Sequence, residues 1–159
     1  MPNSLPSAGS RAFIYISGSD DRPWGPVEQQ RDICREIARR HEWEIEGEFL
    51  DTNRRRRGRG DSRTALGRMA YLARRGHAEV IILESLDRLP RSASAQSYLS
   101  EAMDETGVVL MTAQAGVVER LTFAIWREMS TAWSEVHNHR VKRGLARRKL
   151  SLATTPASA

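Results

Sequence analysis

Four short apolar runs, separated by segments of helical periodicity, constrain the fold of this 159-residue chain more than any other feature. The runs are residues 12–16, 80–83 and 108–111, together with residues 43–49, where apolar and acidic side chains alternate. Short apolar runs that alternate with helices are typical of a mostly parallel sheet covered on both faces. The sequence therefore predicts an α/β, three-layer fold with a mostly parallel four- to five-stranded sheet and a long C-terminal helix.

The order of these segments also predicts where the chain divides. Residues 1–10 are small, polar and aperiodic, which indicates a disordered N-terminal segment. Residues 11–118 hold the alternating strands and helices and are expected to form one domain, with one helix over about residues 93–106 that Gly107 ends. No proline interrupts residues 119–150, which are therefore expected to form one helix about 45 Å long. A disordered tail is expected over residues 151–159.

The net charge of +5 is unevenly distributed along the chain. Residues 1–119 sum to −1, whereas residues 120–159 carry eight basic and two acidic side chains and sum to +6. A basic C-terminal stretch on a near-neutral domain is typical of a nucleic-acid binder, although a solvated basic tail is the alternative. The candidate DNA contacts are Arg140, Lys142, Arg143, Arg147, Arg148 and Lys149.

Composition argues against several other classes of protein. No apolar run approaches the ~18–20 residues of a membrane span. The first ten residues lack the basic start and apolar stretch of a secretory signal. Cys34 is the only cysteine, so neither a disulfide framework nor a cysteine-built metal site is expected, and a reducing cytoplasm fits best. Cys34 itself is expected in the core, and His137 and His139 are too close in sequence to form a metal pair on one helix face.

Polar side chains cluster where the predicted strands end. Ser17 and Ser19 follow the first strand, five arginines within residues 54–59 follow the second, Arg63 opens a helix, and Asp87, Arg88 and Arg91 follow the third strand. Open α/β sheets bind ligands at the carboxyl ends of their strands. A hydroxyl nucleophile that faces several guanidinium groups suits transfer at a phosphodiester, because arginines stabilise the negative charge of the transition state. An unrelated phosphate binder is the alternative, but residues 17–26 lack its Gly-x-Gly-x-x-Gly pattern.

Five motifs carry a resemblance to a known family. They are Tyr15-Ile16-Ser17-Gly18-Ser19, Gln30-Arg31, Asp51, Arg63-Thr64-Ala65-Leu66 and, above all, Leu86-Asp87-Arg88-Leu89-Pro90-Arg91. Together they resemble the catalytic domain of the serine recombinases, the resolvase/invertase group. The resemblance runs from about Arg11 to Arg148 and implies a resolvase-like fold.

The resemblance implies a site-specific recombinase that cuts and rejoins double-stranded DNA. Ser19 would be the nucleophile and form a 5′-phosphoserine link, with Arg63, Arg88 and Arg91 around the scissile phosphate. Asp87 would hold an arginine or serve in proton transfer to the leaving 3′ oxygen. No metal or cofactor is implied. The long helix would pair two subunits in a homodimer, which becomes a tetramer during strand exchange, and would then lie across the DNA minor groove.

Two departures from the family pattern keep a second interpretation open. The family has arginine where this chain has Ser17, and glycine where it has Pro90. The chain also lacks the helix-turn-helix or zinc-containing domain that family members carry, so specificity would need a targeting partner or a longer protein. The alternative is a degenerate homologue that binds DNA or a recombinase partner without efficient catalysis.

Three further features have competing interpretations. Residues 54–57 are expected to form a solvated loop rather than a phosphate clamp. Trp126 and Trp133 lie seven residues apart and share a helix face, which favours a dimer seam over packing on the sheet. Asp61 or Ser62 is expected to cap the second helix.

Overall fold

A computed structural model describes residues 4–18, 26–52 and 64–153, with side chains in the last helix described as far as Leu145 except for Ser134. The strands are β1 (Arg11–Gly18), β2 (Glu44–Thr52), β3 (Val80–Leu83), β4 (Val109–Thr112) and β5 (Gly116–Val118). The helices are α1 (Pro26–Arg40), α2 (Ala65–Arg74), α3 (Ala93–Thr106) and α4 (Arg120–Ala153). A 3-10 turn, Leu86–Arg88, lies between β3 and α3.

The five strands form one sheet in the order β2-β1-β3-β4-β5. All neighbouring pairs are parallel except β4 and β5, which are antiparallel. The predicted α/β fold, with its mostly parallel four- to five-stranded sheet and long C-terminal helix, is therefore confirmed. Among the described residues, no helix has the length and apolar character that crossing a membrane would require.

The sheet separates two apolar clusters, as expected for three layers. One cluster joins α1 to residues of β1 and β3, and the other joins α2, α3 and the start of α4 to the opposite side chains of the same strands. Cys34 lies in the α1 cluster with no exposed surface, which confirms its predicted core position. Burial raises the pKa of its thiol to about 12.

Strand β2 departs from the simple alternation of its sequence. Ala12 and Phe13 of β1 pair with Ile45 and Gly47, so Glu46 is an extra residue that forms a β-bulge. Because one inserted residue reverses the side-chain alternation, Trp43 packs in the α1 cluster whereas Phe49 packs against the α2–α3 cluster. The alternation of apolar and acidic residues over 43–49 predicts one apolar and one solvent-exposed face, and that prediction is wrong for this strand.

The ends of the elements show a second difference from the sequence expectations. The N-cap of α2 is Thr64, whose side chain accepts a hydrogen bond from the Gly67 N–H at 3.0 Å. Asp61 and Ser62, the expected caps, lie outside the described residues. Helix α3 occupies the predicted residues 93–106, since Ser92 caps its start and Gly107 adopts a left-handed conformation at its end.

The segment before β1 is attached to the domain from residue 4 onward. The Gly9 N–H donates to the Glu42 carbonyl at 2.7 Å, and Trp43 Nε1 donates to the Pro6 carbonyl at 3.2 Å. These bonds tie residues 6–9 to the turn after α1, in a segment where composition alone indicated disorder. Residues 1–3 and 154–159 lie outside the described residues.

Candidate active site

The carboxyl ends of β1, β2 and β3 meet at one edge of the sheet, because these three strands are adjacent and parallel. Ser17 and Gly18 end β1 and pair with Asp51 and Thr52 at the end of β2. Residues 85–91, which include the recombinase-like motif, follow β3 at the same edge. Two predicted site residues, Ser19 and Arg63, lie outside the described residues, although their sequence neighbours Gly18 and Thr64 belong to this edge.

Asp51 attaches the start of α2 to the end of β2. Its carboxylate accepts hydrogen bonds from the backbone N–H groups of Ala65 at 2.9 Å and Leu66 at 3.2 Å, and from the Tyr15 hydroxyl at 3.0 Å. A carboxylate at a helix N-terminus satisfies N–H groups that have no partner within the helix. Asp51 therefore fixes the position of the helix start at this edge, two residues after Arg63 in the sequence.

The motif after β3 is held by a short turn and one buried side chain. The Arg88 N–H donates to the Ser85 carbonyl at 3.1 Å, and the Leu89 N–H donates to the Leu86 carbonyl at 3.0 Å. Leu89 is only 2% exposed and packs in the α2–α3 cluster. Asp87 and Arg91 lie on either side of this anchor and are exposed to solvent. The structure therefore holds Asp87, Arg88 and Arg91 on one short segment, residues 85–91, which is named the motif turn below.

Arg88 is oriented by Glu84, a residue that the motif analysis missed. The Nε atom of Arg88 donates to a Glu84 carboxylate oxygen at 2.6 Å, and both side chains are partly buried. The resemblance implied that Asp87 would hold an arginine or serve in proton transfer, and no ion pair joins Asp87 to another described residue. The spacing of four residues between Glu84 and Arg88 is the one signal in the sequence that points to this pair.

Ser17, at the position of the family arginine, is buried, and its N–H, carbonyl and hydroxyl groups are all hydrogen-bonded. It is 3% exposed, and its hydroxyl donates to the Arg88 carbonyl at 2.7 Å. The buried side chain of Gln30 accepts from the Ser17 N–H at 3.2 Å and donates to the Ser17 carbonyl at 2.8 Å. Arg31, the other member of that motif, instead pairs with Glu28 and Glu48 on the outer side of α1 and lies away from the turn.

A groove of about 360 Å³ separates the motif turn from α4. Its walls are Asp87, Leu89 and Arg91 on one side and Trp126, Met129, Ser130 and Trp133 on the other. Trp126 is partly buried and stacks on the core residue Phe123 with ring centroids 5.9 Å apart, whereas Trp133 is 64% exposed. The two tryptophans therefore differ: the first packs on the domain, and the second leaves an apolar surface open.

The predicted DNA-contacting residues follow on the second half of α4. Arg140, Lys142 and Arg143 are exposed, and the helix backbone continues through Arg147, Arg148 and Lys149, whose side chains lie outside the described set. Within the described ranges, no three His, Cys, Asp or Glu side chains come together as metal ligands would. Among the described residues, this edge presents the side chains of Asp87, Arg88 and Arg91.

Comparison with known proteins gives one family match and several similar folds. The model of the family described as "Resolvase, N terminal domain" matches residues 12–151. No curated protein has a significantly similar sequence.

Three solved structures illustrate the likeness of fold. The N-terminal catalytic domain of TP901-1 integrase has a TM-score of 0.55 at 14% identity, over 81% of this chain and 97% of that one. A resolvase family site-specific recombinase from Streptococcus pneumoniae has a TM-score of 0.57 at 16% identity, over 92% and 99%. The C-terminal catalytic domain of ISC1926 TnpA, an IS607-like serine recombinase, has a TM-score of 0.51 at 20% identity, over 64% and 66%. At such identities the likeness shows the fold alone.

The contacts of Asp51 yield a test of how the site edge is held. Asp51→Ala removes the acceptor of two helix N–H groups and of the Tyr15 hydroxyl, so the free energy of unfolding should fall by about 2 kcal/mol. Urea denaturation measures this change. Asp104→Ala is the control, because Asp104 is exposed and its only ion pair with a described residue, Arg120, spans 3.6 Å; its loss should stay below about 0.5 kcal/mol. Equal losses in the two variants would contradict the role assigned to Asp51.

Proposed function

The chain belongs to the resolvase N-terminal domain family, and we propose that it cuts and rejoins double-stranded DNA through a 5′-phosphoserine intermediate. The observation that carries this proposal is the placement of Asp87, Arg88 and Arg91 on one anchored turn, beside the end of the strand that leads to Ser19. The Ser17 hydroxyl fixes the backbone of this turn and Glu84 fixes the Arg88 guanidinium. Fixed donors stabilise a developing charge better than mobile ones.

The proposed reaction conserves the number of phosphodiester bonds. The Ser19 hydroxyl attacks the scissile phosphorus and gives up its proton, the bond from phosphorus to the 3′ oxygen breaks, and the leaving 3′ oxygen takes a proton. Arg63, Arg88 and Arg91 donate to the phosphate oxygens, where negative charge accumulates in the transition state. Asp87 either orients one of these arginines or passes the proton to the 3′ oxygen. Rejoining is the same reaction in reverse, with a new 3′ hydroxyl as nucleophile.

Dimerisation through α4 is part of the same proposal. Its first half carries Leu121, Ile125, Met129, Trp133 and Val136, which are between 51% and 71% exposed. Steps of three and four residues place such side chains along one side of a helix. An apolar stripe of this size is expected to be covered, and a second copy of the chain would cover it with an equivalent stripe. Two such dimers would form the tetramer in which strands are exchanged.

Contact with DNA is assigned to the basic residues that follow this stripe. Arg140, Lys142 and Arg143, with Arg147, Arg148 and Lys149 beyond them, extend the same helix away from the domain. Such contacts go to phosphates and carry no sequence information. Recognition of a particular site, as a resolvase, invertase or integrase, would therefore come from a targeting partner or from further protein.

A second candidate function is favoured by one observation, the burial of Ser17. At the position of the family arginine, this side chain hydrogen-bonds inside the protein and does not present a cation to the site. A chain that has lost one phosphate-binding arginine could serve as a DNA-binding or recombinase-binding regulator with weak catalysis. Formation of a covalent adduct distinguishes the two functions.

The nucleophile is tested on a nicked DNA duplex, where cleavage traps the intermediate. The natural chain should form a covalent adduct with a 5′ phosphate in the presence of EDTA, and Ser19→Ala should form none. Ser100→Ala, a serine of α3 outside the site, should behave as the natural chain does. An adduct that persists in Ser19→Ala would refute the assignment, and no adduct from any variant would favour the regulatory function.

The proposed dimer is tested by sedimentation over a range of concentrations. Trp133→Ala should weaken self-association more than about tenfold, because truncating a central interface tryptophan commonly costs about 2 kcal/mol or more. Tyr71→Ala removes a similarly exposed aromatic ring from α2 and should leave the equilibrium unchanged. A natural chain that remains monomeric at high micromolar concentration would contradict the proposal.

The DNA contacts are tested by the salt dependence of binding. Each phosphate contact contributes about −0.9 to the slope of log K against log salt. Replacing Arg147, Arg148 and Lys149 by Ala should therefore flatten the slope by as much as about 2.7. The control replaces three arginines of α1, on the other side of the sheet from α4, that already pair with glutamates: Arg35, Arg39 and Arg40. This variant should leave the slope unchanged. Equal flattening in both triple variants would mean that charge alone, and not α4, directs binding.

A further inference from the structure

Two backbone carbonyls of the motif turn are bound by buried side chains that come from outside the turn. The Arg88 carbonyl accepts the Ser17 hydroxyl at 2.7 Å, and the Pro90 carbonyl accepts Nε2 of Gln96 at 3.0 Å. Ser17 is 3% exposed and Gln96 is fully buried. Between the two carbonyls lies Leu89, whose side chain is in the core. The 88–89 and 90–91 peptide groups, which flank the Leu89-Pro90 pair, are thus each held by a donor from another element.

We propose that Ser17 and Gln96 form a carbonyl clamp, a pair of positioning residues that set the directions of Arg88 and Arg91 toward the scissile phosphate. The inference rests on the proposed function and adds to it a role for two residues that do not touch the substrate. The orientation of a peptide plane sets the backbone dihedrals of the residues on either side of it. Fixing the carbonyls of Arg88 and Pro90 therefore fixes the Cα–Cβ directions of the two arginines.

The hydroxyl of Ser17 can act in this way because Ser17 is itself held. The pairing of β1 with β3 ends at Ile14, and the Ser17 N–H and carbonyl lie beyond it. Gln30 binds both groups with its side-chain amide, as a neighbouring strand would. A buried polar group that is bonded on all sides rarely changes rotamer, since each lost bond costs free energy.

The buried side-chain amide of Gln96 makes hydrogen bonds through its nitrogen atom and not through its oxygen atom. Its Nε2 donates to the Pro90 carbonyl and to the Ser130 hydroxyl of α4, while its buried Oε1 has no hydrogen-bond partner. An unsatisfied buried acceptor is destabilising, and an apolar side chain of similar length would avoid it. Gln96 therefore leaves one buried acceptor unsatisfied while its Nε2 links the motif turn to α4.

The clamp also accounts for the two departures from the family pattern. Ser17 and Pro90 are the two positions where the sequence differs from that pattern, and each contributes one partner to the clamp. Serine at position 17 supplies a hydroxyl to the turn in place of a cation to the phosphate. Proline at position 90 has a restricted φ and presents its carbonyl to Gln96. The differences are thus parts of one arrangement.

The experiment measures single-turnover adduct formation on a nicked duplex as a function of DNA concentration. Ser17→Ala should lower the rate at saturating DNA by about tenfold to hundredfold, because small misplacements of catalytic groups have effects of that size. The DNA concentration that gives half the maximal rate should not change. Ser17→Thr, which keeps the hydroxyl, should restore the rate. Gln96→Met, which removes the donor to the Pro90 carbonyl, should also lower the rate.

Thr106→Val is the matched control. Its hydroxyl donates to the Ala102 carbonyl at 2.8 Å, the same kind of bond as that of Ser17, but at the far end of α3. This variant should form the adduct at the natural rate. A Ser17→Ala protein that also reacts at the natural rate, or a Ser17→Thr protein as slow as Ser17→Ala, would overturn the proposal.

Amide hydrogen exchange separates failure of the clamp from failure of the proposed function. The Leu89 N–H closes the turn by donating to the Leu86 carbonyl, and its exchange requires no DNA. Its exchange should become about tenfold faster in Ser17→Ala and not in Thr106→Val. Unchanged exchange would overturn the clamp whatever the adduct assay gives. Faster exchange, with no adduct from the natural chain, would uphold the clamp and refute the phosphoserine reaction.

Discussion

Parallel pairing of β1 with both β2 and β3 is the constraint on which the candidate site depends. Because β1 is hydrogen-bonded on both sides, its end, the end of β2 and the turn after β3 are brought to one edge of the sheet. Asp51 then attaches the start of α2 to this edge, and the segment that follows β3 presents Asp87, Arg88 and Arg91 there. Residues separated by more than 60 positions in sequence become neighbours only through this pairing.

The site edge differs from the rest of the domain in the kind of interaction that holds it. Elsewhere the layers are joined by apolar clusters, which resist deformation in every direction but do not aim any particular group. At the edge, buried polar side chains bind backbone groups, as Gln30 does for Ser17 and Gln96 does for Pro90. Hydrogen bonds are directional and costly to leave unmade in the interior. They suit the proposed reaction, in which two guanidinium groups point at one phosphate.

Helix α4 has two environments along its length, and its proposed roles follow from them. Its beginning packs on the domain through Phe123 and Trp126, while Gln96 reaches Ser130 one turn further on. Beyond this point Trp133 and Val136 are exposed, and the basic residues from Arg140 onward follow. The same helix is therefore linked to the motif turn through Gln96, offers an apolar surface and carries the excess charge. A second subunit or DNA bound on α4 would lie next to the arginines of the site.

By itself, the sequence determined the α/β fold, the bounds of β3 and α3, the place of the arginine motif and the charge of α4. It could do so because apolar periodicity, capping residues and charge are local properties. Tertiary structure decided what each polar group binds. Ser17 meets Arg88 across 71 residues, Gln96 meets Ser130 across 34, and the bulge at Glu46 reverses the faces of β2. None of these contacts leaves a periodic trace in the sequence. They arise because closing the sheet buries these groups, and a buried donor or acceptor must take the partner that the packed elements place within reach.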